Sequence, residues 1–361
     1  MKDNKNKTSS KNSSQNLVHF DNYEETVIRE NSPKKEEIKK VARKKFGLKK
    51  LKQIVSIISA FAVLVSAFFL GKRGFESYLV YTQEKNEEEY VIPKDVTKEL
   101  SSMTEEEAWA YLYDKYPHLL DIVFPVGFNH EYALYYAENP DTVGYIKIEG
   151  TNIDTPVVQA DNNKYYLNHD FYGKYTSYGE IYATYIANLA PLDRNILIYG
   201  HNMNDGSRFG SLKNYKSLEY FKKHPVIEFN TLYEKHKWKI YAVIITNGDV
   251  KGDNGYFFDF TFNNCSDTCF EEYLVELDKR KLYDTGVDIL PTDKLITLCT
   301  CTYEMNNARL IIVARMVREG ESEEVDISLA KEKETPIKYP ASYYSNQSKN
   351  PYKDDAKWYL Y

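Results

Sequence analysis

A chain of 361 residues, 42% of them hydrophobic, is long enough for one sizeable domain with appendages or for two small domains. The formal charge of −6 conceals an asymmetry, because residues 1–52 hold 15 Lys/Arg against 7 Asp/Glu and residues 53–361 hold 32 against 46. An acidic main body excludes the basic footprint of a nucleic-acid binder. The four cysteines, Cys265, Cys269, Cys299 and Cys301, are too few for a disulfide-built scaffold and lack the two separated ligand pairs of a structural zinc site, so no metal and no cofactor is expected.

Residues 1–35 are polar and rich in Ser, Asn and Lys, a composition that predicts disorder. The run KKVARKKFGLKKLK (39–52) then leads into QIVSIISAFAVLVSAFFLG (53–71), nineteen residues without a charge. A helix needs roughly 20 such residues to cross the hydrocarbon layer. A cleaved signal peptide has a shorter apolar core and sits nearer the N-terminus. The segment therefore reads as a retained anchor, with residues 1–52 cytoplasmic by their excess of positive charge and able to meet anionic lipid. The rest faces outward, beginning with a charged stalk assigned to residues 72–97.

Ser102-x-x-Glu105 before an apolar-periodic stretch predicts a capped helix running to about residue 116, and a second short helix is expected over 131–138. From Val143 the period changes to two. Short strands are predicted from Gly144 through a Gly-containing turn and at 155–159, 180–187, 194–199, 226–230, 238–246, 294–301 and 309–318. Many short strands with little helix between them predict a mainly β fold, a closed or nearly closed barrel. One helix, at 269–283, interrupts the long connection before the strand that carries Cys299 and Cys301. Residues 319–361 are acidic, then rich in Tyr, Asn and Pro, and read as a flexible or loosely packed tail.

In a strand over 294–301, Leu295, Thr297, Cys299 and Cys301 share one face. Asn306-Asn307 supplies turn chemistry, so antiparallel neighbours would set Cys301 and Arg309 at one end of the sheet. A thiolate is a strong nucleophile that needs electrostatic help. A guanidinium cannot act as a base, but it can donate hydrogen bonds to an oxyanion. The part still lacking is a proton carrier. Of seven histidines, His201 stands just past a buried-looking strand and a glycine, where catalytic groups tend to sit. A surface-loop histidine is the competing reading. Other readings of the cysteines also stay open at this point. A Cys299/Cys301 redox pair would have to bridge roughly 6.5–7 Å between Cα atoms, at or beyond the disulfide limit. A metal site lacks a fourth ligand, and two buried structural cysteines are the bland alternative.

TLCTC (297–301) resembles the TLxTC signature of sortases, and YGHN (199–202) and the arginine of ARLIIVARMV (308–317) match its other two parts. VGYIKIEGTNIDTPVVQADNNKYYLNHDF (143–171) and GHNMNDGSRFGSLKNY (200–215) are similar to class B sortases, and the resemblance covers about residues 98–318. It implies an eight-stranded sortase β-barrel with N-terminal helices, anchored in a Gram-positive-type envelope with the catalytic domain outside. It implies a transpeptidase that cuts a C-terminal sorting signal of secreted proteins through a thioacyl-enzyme. The acyl group would pass to an amine of cell-wall peptide or of a pilin. By motif, Cys301 is the nucleophile, His201 the general acid/base and Arg309 the oxyanion or substrate stabiliser. Tyr199 and Leu167 fall where class B enzymes line the substrate groove, and Cys299 and Thr300 adjoin it. Three features depart from the family pattern. Cys299 stands where a small residue is usual, Cys265 and Cys269 could bridge on a helix or turn although free thiols are the preferred reading of both pairs, and residues 319–361 exceed the usual end. That extension could cover the groove, pack on the barrel or do neither. A degenerate barrel serving as a tethered binding module, or a thiol–disulfide exchanger using Cys299/Cys301, are the alternative functions.

Overall fold

The computed structural model describes residues 94–360 apart from 348, together with Ser59 and Ser66 alone upstream. The chain divides into two units, and the one that holds residues 95–361 carries the architecture below. Among the described residues no helix is long and apolar enough to cross a membrane. Apart from Ser59 and Ser66, the expected anchor at 53–71 lies outside them, as do the segments assigned to 1–52 and most of 72–97.

Helix α1 (Lys94–Leu100) is followed by α2 (Glu105–Lys115), which starts two residues later than the sequence signal suggested. Thr104 is the N-cap: its hydroxyl accepts the Glu107 N–H at 3.3 Å, and Glu107 returns a carboxylate to the Thr104 N–H at 2.9 Å. Ser102 instead turns its hydroxyl back to the Glu99 carbonyl at 2.8 Å. A short 3-10 turn and α3 (Ala133–Glu138) follow, near the predicted span. Asn129 N–H donates to the Leu232 carbonyl at 2.7 Å, which fastens this helical layer to the barrel.

Strands β1 (Thr142–Lys147), β2 (Asp154–Val158), β3 (Tyr182–Ala183), β4 (Asn195–Tyr199), β5 (Val226–Thr231), β6 (Lys237–Asn247), β8 (Leu295–Thr302) and β9 (Ala308–Met316) close into a barrel in the order β1-β2-β3-β4-β8-β9-β6-β5. Closure leaves no open edge to recruit another strand. Alternation puts Ile146, Ile196, Ile198, Ile296, Leu298 and Ile312 inside, each at 0% exposure. Odd-numbered positions of β4, β8 and β9 face outward. β3 is much shorter than the expected 180–187, because the Asn163 side chain takes the Tyr185 N–H at 2.9 Å and draws the backbone out of the ladder.

The long connection from β6 to β8 crosses the outer face of β4. Asn195 Nδ2 donates to the Phe262 carbonyl at 2.8 Å, and Thr297 Oγ1 donates to Asn195 Oδ1 at 2.7 Å. Helix α4 (Leu218–Lys223) precedes β5, and helix α5 (Asp267–Arg280) lies in this connection and begins two residues before the predicted start, because Ser266 caps it by accepting the Cys269 N–H. It ends at Arg280, where Lys281 turns extended and bridges to Ile244 of β6. The short β7 (Tyr283–Asp284) then pairs with β10 (Lys331–Glu332) of the C-terminal segment. The reading of that segment as a loose tail is corrected here. Lys338 Nζ is buried between Glu276 and Asp355 at 3.2 and 3.1 Å, and Trp358 Nε1 donates to Glu272 at 3.1 Å.

Candidate active site

Two ladders bring the predicted residues together. β8 and β9 are antiparallel, with Cys301 directly opposite Arg309. β4 and β8 are parallel, with Tyr199 opposite Cys299. Continuing that second register by two residues sets His201 abreast of Cys301. The continuation is held by hydrogen bonds: Gly200 N–H donates to the Cys299 carbonyl at 3.3 Å, Thr300 Oγ1 to the Gly200 carbonyl at 2.7 Å, and Asn202 Nδ2 to the Cys301 carbonyl at 2.9 Å. Position 200 has to be glycine, because a Cβ there would stand 2.7 Å from the ring of Phe209. Cys301 is thus flanked by an imidazole-bearing strand end on one side and a guanidinium-bearing strand start on the other.

His201 is half-buried, and its Nε2 lies 2.8 Å from the Leu167 carbonyl oxygen. A carbonyl only accepts, so Nε2 carries the proton and Nδ1 is left as the basic nitrogen. Burial holds the imidazole below its ordinary pKa; the Leu167 carbonyl pulls it back up, and the cations Arg208 and Arg309 push it further down. Leu167, expected in the groove, meets His201 through its backbone carbonyl.

Arg309 is 2% exposed and packs against Gly248, where an added Cβ would come within 2.8 Å of the guanidinium carbon. Gly248 N–H donates to the Asn307 carbonyl at 2.7 Å, and Asn307, at φ +54°, makes the turn between β8 and β9. A buried cation beside a half-buried thiol favours whatever negative charge develops there.

Three of the expected groove residues lie beneath the surface. Tyr199, Cys299 and Thr300 are all buried, at 1, 0 and 1% exposure. Tyr199 lies against Tyr182 with ring centroids 5.4 Å apart, and Thr300 points inward to Gly200. Burial pushes the Cys299 thiol far above its ordinary pKa, against the pull of Arg309, so it stays protonated and inert. All four cysteines are free thiols in the structure. Among the described residues no cluster of His, Cys, Asp or Glu is arranged to hold a metal.

Asn202, Arg208 and Gly248 were not singled out from the sequence. Each owes its place to packing against residues far along the chain, although Asn202 and Arg208 lie within the stretches quoted above for their resemblance.

Comparison with known proteins finds relatives in one family. The family description "Sortase domain" matches residues 146–317. Sortase B of Listeria monocytogenes is 33% identical over 181 residues, spanning 50% of this chain and 71% of that protein. Sortase B of Staphylococcus aureus is 30% identical over 182 residues, spanning 50% and 72%. The solved Staphylococcus aureus sortase B–substrate complex covers 59% of this chain and 92% of its own, with 25% identity and a TM-score of 0.49.

Proposed function

Because the chain belongs to the sortase family, among relatives that are sortase B cysteine transpeptidases, we propose that Cys301, His201 and Arg309 carry its reaction. His201 takes the proton of the Cys301 thiol, and the resulting thiolate attacks the carbonyl carbon of the scissile peptide bond in a C-terminal sorting signal. The tetrahedral oxyanion accepts hydrogen bonds from the Arg309 guanidinium. Collapse breaks the C–N bond; the leaving amine takes its proton from His201, and the acyl group stays on sulfur as a thioester. An acceptor amine, from cell-wall peptide or a pilin lysine, then attacks the thioester, gives its excess proton to the imidazole, and releases Cys301. The substrates are secreted proteins that carry the sorting signal. The apolar segment at 53–71 holds the enzyme in the membrane as a single pass with its N-terminus cytoplasmic.

The observation that supports this reading is the register: Cys301 opposite Arg309 in one ladder, and residue 201 abreast of Cys301 where hydrogen bonds continue the other past its end. The burial of Cys299 argues against thiol–disulfide exchange, since a partner disulfide has no access to it.

The test is a pentapeptide library presented to the full-length protein in detergent, with the acyl adduct read by mass spectrometry. Cys301→Ala is expected to lose the adduct. Arg309→Lys is expected to lower kcat/KM by about 10²-fold, since a point charge cannot reproduce the fork of the guanidinium. An adduct that persists in Cys301→Ala removes that residue from the role.

A further inference from the structure

The segment after β9 touches the two loops that flank Arg309. Ala341 N–H donates to the Asp253 carboxylate at 2.8 Å. The neighbouring Ser342 hydroxyl donates to Met305 Sδ at 3.0 Å, in the turn between β8 and β9. Farther along, Lys357 Nζ reaches the Asn254 carbonyl at 3.0 Å, and the rings of Tyr359 and Tyr256 meet edge to face at 5.6 Å. One stretch of chain thus fastens both the loop after β6 and the loop after β8.

Asp253 closes a single 3-10 turn, Val250–Asp253, whose N-cap is Asp249. One carboxylate oxygen of Asp249 accepts the Lys251 N–H at 2.8 Å, and the other accepts Asn307 Nδ2 at 2.8 Å. Asn307 in turn holds Gly248 by a 2.7 Å backbone bond, and Gly248 is the surface against which the Arg309 guanidinium rests. From Ala341 to the guanidinium the path is continuous: a carboxylate, a one-turn helix, a second carboxylate, a turn asparagine and a glycine. Each step is a hydrogen bond or a van der Waals seat.

We propose that residues 339–344 are a strap that fixes the seat of Arg309, and that Asp253 is the positioning residue through which the strap acts. This rests on the catalytic reading of Arg309 given above. The strap holds the guanidinium where charge develops in the transition state, so its loss falls on kcat and not on peptide binding. A displacement on the order of 1 Å at such a group costs one to two powers of ten in rate.

Contiguity alone does not establish coupling, so the experiment is a double-mutant cycle on the full-length protein in detergent. Peptide cleavage is measured well below the unfolding temperature of each variant. Asp253→Ala is expected to lower kcat about tenfold with KM changed less than about twofold. Asp253→Asn keeps an oxygen for the Ala341 N–H and is expected to recover to within about threefold of the wild type. In an Arg309→Lys background the further loss from Asp253→Ala should shrink to less than about twofold, because the group it positions is already gone. The strap is overturned if Arg309→Lys is crippled while Asp253→Ala keeps its kcat, if the two losses multiply in full, or if Asp253→Asn is as impaired as Asp253→Ala. If Arg309→Lys turns over like the wild type, the catalytic reading itself fails and the strap falls with it.

Discussion

His201 takes its acidity from burial and from three neighbours that act in different directions. Burial lowers its pKa most; Arg208 and Arg309 lower it further, and the Leu167 carbonyl opposes them. Arg208 is the adjustable one. It sits at φ +49°, donates Nε–H to the Gly179 carbonyl at 2.9 Å, and pairs with Glu180 at 3.2 Å. Its charge disfavours protonating the ring. Arg208→Gln removes that charge, so the imidazole pKa rises toward its unfolded value of about 6.5. The acid limb of the kcat/KM profile should then move to higher pH, and the ring resonances in NMR should titrate at higher pH as well. The same sign governs stability. A histidine held below its unfolded pKa adds stability in full above that value, and the contribution declines as pH falls, because the unfolded chain binds the proton more readily. A limb that stays in place or moves to lower pH would show that Arg208 does not act on the ring.

At the scale of elements, the last turn of α5 depends on one buried carboxylate. Glu276 accepts Arg280 Nη1 at 2.7 Å and Lys338 Nζ at 3.2 Å, while Arg280 lies 4.2 Å from the ring centroid of Phe258. Burial alone would raise the Glu276 carboxyl, yet hydrogen bonds from Lys279 and Arg280 hold it at about 2. Glu276→Ala strands two buried cations and should cost about 3–5 kcal/mol in urea unfolding. Glu276 ionises well below the unfolded value of about 4.3, so its stabilisation is complete above that pH and is lost as pH falls toward 2. The variant should lack that part of the acid dependence; an unchanged midpoint would mean that the cations find other partners. None of this network was legible in the sequence, because Glu276 and Lys338 stand sixty-two residues apart. The strands were legible, since alternation is local, and so was α5 to within three residues. The cap of α2 was misread by two positions because Ser102 and Thr104 offer the same chemistry, and only three-dimensional competition chose between them. The pairing of Cys301 with Arg309 followed from a strand, a turn and a strand. Setting His201 beside Cys301 needed a parallel ladder across a hundred residues, and there a motif supplied what spacing could not.

Across the whole molecule the β8–β9 ladder joins two unlike ends. Cys301 opposite Arg309 lies at one, and Leu295 opposite Arg315 at the other. Arg315, 1% exposed, donates to Asp288 at 2.8 Å and to both oxygens of Glu321 at 2.5 and 2.6 Å. Arg318 pairs with Asp293 at 2.6 Å, and Lys239 reaches Glu321 at 2.7 Å. Hydrogen bonds from Arg315 hold the Glu321 carboxyl well below the usual carboxylate range. Glu321→Ala leaves a buried guanidinium short of its main partner, at a cost of about 3 kcal/mol. For a domain of this size that is a fall in Tm of about 6–12 °C. The six residues from Arg309 to Arg315 span about 20 Å of strand, far beyond the separation at which effects usually couple. The kcat/KM of Glu321→Ala at 25 °C should therefore stay within about twofold of the wild type while Tm drops. A variant that keeps its Tm and loses turnover would mean that the barrel passes strain from one end to the other, and that the ionic end belongs to the catalytic machinery.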